Sequence, residues 1–206
     1  MFFRPGEHKD HGLPHNPFKS LVVPRPIGWI TSLAGDGTLN LAPFSYFNAV
    51  GDNPPIVLFA PSGRQREDWT KETLRNVEET GELVTNMATW DLREEMNRTS
   101  ATVAPEVDEA AEAGLEMIPS QLVKPPRVAA SPVHMECKFL KTVEFPTNDP
   151  AARCYVCFGE VVGIHIDDAV IDDKGQVDVT RFKPIARLGY MEYGVIEKVF
   201  VMQRPE

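Results

Sequence analysis

Short β-forming runs spread over the whole chain, joined by signals for reversal of direction, leave few folds open to it. Ile27–Leu33 is rich in branched and aromatic residues, and A-G-D-G-T (Ala34–Thr38) follows it as a hairpin signal. Leu39–Val50 continues as an extended segment, and Pro54-Pro55 marks a turn. Ile56–Ala60 is a continuous apolar run of the kind a buried strand shows. Leu83–Met87 reads as another strand, Val133–Phe145 and Cys154–Ile166 as long ones separated by F-P-T-N-D-P, and Val195–Met202 as a last one. Between them, Gly63–Asp68 is a polar loop. Trp69–Thr80 reads as a helix with Leu74 and Val77 on one face and Gly81 as its stop. Residues 89–118 predict short surface helices, and 167–180 an acidic loop.

Strands outnumber helices and pair mostly through hairpin-like turns. The fold class expected is mainly β, an antiparallel β-barrel with flanking helices packed outside. The 206 residues are expected to form a single domain, with 1–15 a flexible arm. That arm carries His8, His11 and His15, which read as a solvated tail rather than a metal site. No G-x-G-x-x-G or P-loop pattern is present, which argues against a dedicated dinucleotide domain.

Composition narrows the function. A net charge of −9 argues against a general nucleic-acid binder. No apolar run approaches the ~20 residues of a membrane span. Three cysteines are too few for a disulfide framework, and the N-terminus lacks a signal-peptide core, so a cytoplasmic location is expected. Residues 11–35 contain no Asp or Glu yet carry Lys19 and Arg25. An anionic ligand accounts for that gap, and so does a loop followed by a buried strand.

Lys71 and Thr73 stand where a helix start offers free N–H groups and a positive dipole end, with Arg64 and Arg66 in the preceding loop. A phosphate site fits this pattern; so does an exposed helix start carrying the like-charged pair Lys71–Arg75. Thr31, Ser32, Ser45 and Asn48 put hydroxyl and amide groups at strand ends, as recognition of a flat polar heterocycle requires. Trp29 and Phe47 could contact such a ring or belong to the core. Cys154 and Cys157 lie three apart within a β-forming run, so their sulfurs face opposite sides of a sheet and no metal or redox pair is expected. His165 closes a strand before Asp167 and Asp168 and reads either as a proton donor or substrate contact or as a half-exposed strand-end histidine with no role.

The ordered series R-P-I-G-W-I-T-S (Arg25–Ser32), L-N-L-A-P-F-S-Y-F-N (Leu39–Asn48), Pro54-Pro55, K-E-T-L-R-N (Lys71–Asn76) and E-L-V-T-N (Glu82–Asn86) resembles the flavin reductase-like family, whose fold is the FMN-binding split β-barrel. G-E-V-V-G-I-H (Gly159–His165) and R-L-G-Y-M-E-Y (Arg187–Tyr193) look like its C-terminal strands. The resemblance implies a homodimer with FMN near the subunit interface. It implies that Thr31, Ser32, Ser45 and Asn48 contact the ring and ribityl chain or phosphate, that Lys71 and Thr73 face the phosphate, and that Trp29 lies beside the ring. His165 falls where many members carry a histidine close to the flavin or nicotinamide. Glu72, Gly51 and Tyr190 replace the family's usual aspartate, serine and second glycine.

The activity so implied is transfer of electrons from NADH or NADPH through FMN to free flavin or another acceptor, including a partner redox protein. A flavoredoxin-like electron carrier and a non-enzymatic ligand-binding barrel are the alternatives.

Overall fold

The computed structural model describes residues 1–61, 63–64, 72–104 and 107–205. The first half supplies β1 (Arg25–Pro26), β2 (Gly28–Leu33), β3 (Leu39–Phe44), β4 (Phe47–Asp52), β5 (Pro55–Phe59), β6 (Gly63–Arg64) and β7 (Glu82–Met87). Helix α1 (Phe18–Leu21) precedes them, and α2 (Glu72–Thr80) lies between β6 and β7. The second half adds α3 (Arg93–Arg98), α4 (Glu109–Glu112), β8 (Met117–Ile118) and β9 (Arg127–Val128). It continues with β10 (Val133–Phe145), β11 (Ala152–Ile166), α5 (Val179–Phe182), β12 (Ile185–Arg187) and β13 (Tyr193–Val195).

The main sheet is antiparallel and runs β3-β2-β7-β10-β11-β5-β4, with β6 pairing against β11. β3 and β4 are its two ends, yet only Ser45 and Tyr46 separate them in the chain. Two intervening residues reach about 10 Å at full extension, so the sheet must curl until its ends approach. The Phe44 and Phe59 rings meet across this seam at 5.0 Å, and the Ala60 N–H donates to the Tyr46 carbonyl at 2.8 Å. The expected single extended segment Leu39–Val50 is therefore two strands on opposite edges. The bend at Ser45 that divides them makes the barrel.

Period-2 alternation sorts the side chains of β2 between two cores. Ile30 joins Phe44, Phe59, Leu74, Val77, Leu83, Cys137 and Cys157. Trp29 points the other way, to Leu41, Leu92, Met96, Val128 and Ile185. α2 lays Leu74 and Val77 on the barrel and ends at Gly81, whose φ of +75° lets its N–H donate back to Val77 at 2.9 Å. Cys137 and Cys157 are free thiols in the first core, and burial pushes each up to about 12, which makes them inert.

Two expectations need correction. The last strand covers only Tyr193–Val195, not Val195–Met202; Phe200 and Val201 are 83% and 92% exposed. β12 pairs with β13 as far as Val195, and beyond the Ile196–Pro184 hydrogen bond the tail meets no further strand among the described residues. Residues 89–118 do form short helices, but α4 is not all surface, because Glu109 is buried. Among the described residues no helix is long and apolar enough to cross a membrane.

We expect Phe59→Ala to cost about 3–5 kcal/mol in urea unfolding through lost packing and the cavity left behind. Phe145→Ala, at the half-exposed end of β10, should cost less than about 1 kcal/mol. Equal effects would contradict this placement of the core.

Candidate functional site

The seam opens into a cleft of about 300 Å³ lined by Lys19, Arg25, Pro43, Ser45, Arg187 and Tyr190, among others. Arg25, from the R-P-I-G run, is 6% exposed. Its guanidinium donates to the Lys19 carbonyl, to that of Val22 at 2.7 Å and to that of Leu188 at 2.8 Å. It thereby ties α1 and the β12–β13 turn to β1. Its Nε is buried without a partner, and no carboxylate lines the cleft among the described residues. Lys19 and Arg25 both approach the Tyr46 ring, at 5.9 Å from its centroid. Arg187 lies over the Tyr193 ring at 4.4 Å and donates to the Tyr190 carbonyl at 2.5 Å. Gly189 is required where α1 crosses: a Cβ there would clash with the Ser20 side chain.

Pro43 and Ser100 also line a narrower groove of about 170 Å³, which continues past Asn40 to Thr73 at the start of α2. Thr73 is buried and donates to Asn40 Oδ1 at 2.6 Å. Asn40 Nδ2 donates to Glu109 Oε1 at 2.8 Å, and the Leu41 N–H to Glu109 Oε2 at 3.1 Å. Asn76 Nδ2 donates to Ser32 Oγ at 3.3 Å, and Asn76 Oδ1 is buried without a partner among the described residues. This network pins the first turn of α2 to the β2–β3 hairpin. Burial pushes the Glu109 carboxyl above its ordinary range, against the Leu41 N–H and the Asn40 amide, which hold it down.

The sequence candidates divide accordingly. Ser45 and Thr73 lie on the two connected segments, and Ser32 is buried and joined to the same network through Asn76. Trp29 and Thr31 are fully buried: Trp29 Nε1 donates to Thr99 Oγ1 at 2.8 Å, and Thr31 Oγ1 accepts from Asn86 at 2.8 Å. They support the groove from behind rather than line it. Asn48 is exposed on β4, its Oδ1 taken by the Ala49 N–H at 2.9 Å. The Arg64 backbone pairs with Ala152 of β11, and Lys71 and Arg66 lie outside the described residues.

His165 is not in this groove. It lines a separate cleft of about 440 Å³ with Arg127, Ser131, His134 and Asp167. Its Nε2 is 2.5 Å from Oε1 of Glu136, a fully buried carboxylate that also accepts the N–H groups of Gln121, Leu122 and Val123 at 2.8, 2.6 and 3.2 Å. Burial pushes Glu136 up, but these donors and His165 outweigh it and hold the carboxyl below its usual range. Across the β10–β11 ladder His134 faces His165, rings 6.0 Å apart. The His134 Nε2 lies 2.8 Å from the Val128 carbonyl and must donate to it. Sequence reading missed Glu136, Asn40, Glu109 and the role of Arg187. Arg187 and Asn40 carried a signal, as members of the R-L-G-Y and L-N-L-A-P runs, whereas Glu136 and Glu109 carried none.

The flavin reductase like domain profile matches residues 20–185. An uncharacterized protein of Aquifex aeolicus is 40% identical over 173 residues, covering 84% of this chain and 85% of that one. Nitrilotriacetate monooxygenase component B from Bacillus cereus superposes with a TM-score of 0.86 at 28% identity over 98% of both chains. The Pseudomonas fluorescens 2-nitrobenzoate 2-nitroreductase NbaA superposes with a TM-score of 0.79 at 31% identity, over 91% of this chain and 88% of that one. The fold is the FMN-binding split β-barrel.

Burial holds the His134 imidazole below 6.5, with Arg127 and His165 acting in the same sense, although the Val128 carbonyl and Glu136 oppose it. The unfolded chain then binds more protons than the folded one below that pH, so this group's contribution to stability is lost as pH falls. His134→Asn should show a smaller drop in thermal midpoint between pH 7 and pH 5 than the wild type. The opposite slope of Glu109 is common to both proteins and cancels in the comparison. Parallel slopes would contradict the assignment.

Proposed function

The chain belongs to the flavin reductase-like family, and from that premise we propose that it is an FMN-dependent oxidoreductase taking electrons from NADH or NADPH. The observation that carries this reading is the continuity of the two segments. One groove joins Thr73, at the K-E-T-L-R-N end, to Ser45, at the L-A-P-F-S end.

The residues fit FMN. The two segments together fall within the size of cofactor clefts, about 300–1,000 Å³. The buried, partnerless Nε of Arg25 and the cations beside it make the wide end locally positive in a chain of net charge −9. That potential draws an anionic ligand. In this assignment Lys71 and the Thr73 end hold the phosphate, with Arg64 adding charge. Ser45 and the backbone bend beside it orient the ring, and Ser32, Thr31 and Trp29 hold that wall rigid. When bound, FMN supplies the redox chemistry, so no protein acid or base is obligatory. His165, tied to Glu136, serves no proton transfer at the groove of its own subunit. A homodimer in which its cleft faces the partner's ligand would reconcile it with the family position.

The acceptor is free flavin, another small molecule or a partner protein, and a cytoplasmic location suits three cysteines that form no disulfide. Oxidation of NADH and NADPH, followed with FMN supplied in excess, tests the reading. Steady turnover that depends on FMN is expected with one or both donors. FMN-loaded protein that oxidises neither, yet is reduced by a partner protein, would establish an electron carrier instead. Lys71→Ala should weaken FMN by about 1.5–3 kcal/mol in a fluorescence titration. Unchanged affinity would remove Lys71 from the phosphate site.

A further inference from the structure

One end of β11 is left without a neighbour. The strand pairs with β10 from Cys154 to Ile166, but on its other side β5 reaches only Cys157–Glu160 and β6 only Ala152-Arg153. A bulge accounts for this. Val161 pairs with Cys137 and Gly163 with Glu136, so Val162 is one residue too many and the strand bends there. Beyond Glu160, Val161–Ile166 keeps β10 on one side and has no strand on the other among the described residues. The bare stretch is apolar. Ile164 is 59% exposed, and Val162 and Ile166 are exposed with it. Ile164 and Ile166 are two apart and share one face of the strand. An edge of this kind is a template for another strand, and native proteins cover it.

The complementary piece lies on the same chain. Residues 198–204, K-V-F-V-M-Q-R, hold four consecutive apolar side chains in a strand-forming run. All four, Val199, Phe200, Val201 and Met202, are exposed. The tail of a chain therefore does not cover that chain's own β11 edge, since both surfaces are open at once. Charge frames the two segments in a matching way. Lys198 and Arg204 flank the tail run six residues apart, and Glu160 and Asp167 flank the bare edge seven apart. Whichever way the tail runs, a cation meets a carboxylate at each end. Alternation fits as well: either Val199 and Val201 or Phe200 and Met202 face Ile164 and Ile166, while the two backbones make the ladder.

We propose that Val199–Met202 of one copy of this chain adds as a strand to the Val161–Ile166 edge of a second copy. Each chain carries both tail and edge, so the exchange is reciprocal and closes as a two-fold dimer. A dimer held through other surfaces alone would leave both segments bare. The seated tail also finishes a site. Ile164 and Ile166 line the His165 cleft, so a tail lying along them becomes one wall of it. None of this depends on which cofactor the seam takes.

Photo-cross-linking tests the exchange. Phe200→p-benzoylphenylalanine puts a photoreactive ring on the exposed tail and leaves the core untouched. Irradiation should join two chains, seen at twice the chain mass on a denaturing gel, with the link in the peptide that holds Val161–Ile166. Adding Ile164→Lys, a change at an exposed position, should cut the yield about tenfold while the circular dichroism spectrum stays the same. A link within one chain, a link to another part of the second chain, no link, or a yield indifferent to Ile164→Lys would overturn the proposal. Hydrogen exchange gives an independent reading. Protein ending at Ile196 should exchange the outward amides of Val161–Ile166 at least about tenfold faster than full-length protein. Equal rates would overturn the proposal as well.

Discussion

Everything about the site depends on the two-residue bend at Ser45-Tyr46. Because β3 and β4 are the opposite ends of the main sheet, that bend forces the sheet to close on itself and fixes where the closure leaves a gap. The gap is lined by whatever the chain carries next to the bend. Pro43 and Ser45 come from the strand end itself, and Arg25 and Arg187 come from the small sheet β1-β12-β13 laid alongside. The fold and the groove are consequences of one constraint.

Arg25 converts that geometry into electrostatics. A buried guanidinium costs free energy unless its donors are satisfied. Three carbonyls, two from α1 and its end and one from the β12–β13 turn, satisfy most of it while neutralising none of its charge. A carboxylate partner would have made a stable but inert ion pair. Carbonyls leave the positive potential in the cleft, next to Lys19 and Arg187, for an anionic ligand. At the other end, α2 is anchored by the Ser32–Asn40–Thr73–Asn76 network, so the distance between the two ends of the groove is set by β2 and β3 rather than by a loop.

Much of this was legible in the sequence where the signal is local. The long strands β10 and β11, the hairpin at Ala34–Thr38, and α2 with its Gly81 stop follow from alternation, turn residues and capping, each a matter of near neighbours. What depends on distant contacts was not legible. Nothing in Leu39–Val50 announces that its halves belong to opposite edges. Glu109 sits in an acidic run that reads as surface, and only the edge N–H of Leu41 and the amide of Asn40 explain its burial. His165 carried a recognisable position but not its partner, since Glu136 lies 29 residues away in the chain. The alternating tail after Val195 shows the converse, a strand pattern that finds no strand to pair with among the described residues of its own chain.

The central claim is that the seam at Ser45 is the flavin site. Equilibrium titration of FMN against the wild type and a Ser45→Phe variant, which fills the gap while leaving the Thr73 end intact, addresses it most directly. Saturable quenching of flavin fluorescence at a single FMN per chain, lost or greatly weakened in the variant, is the result predicted. Equal affinity in the two proteins, or no quenching in either, would contradict it.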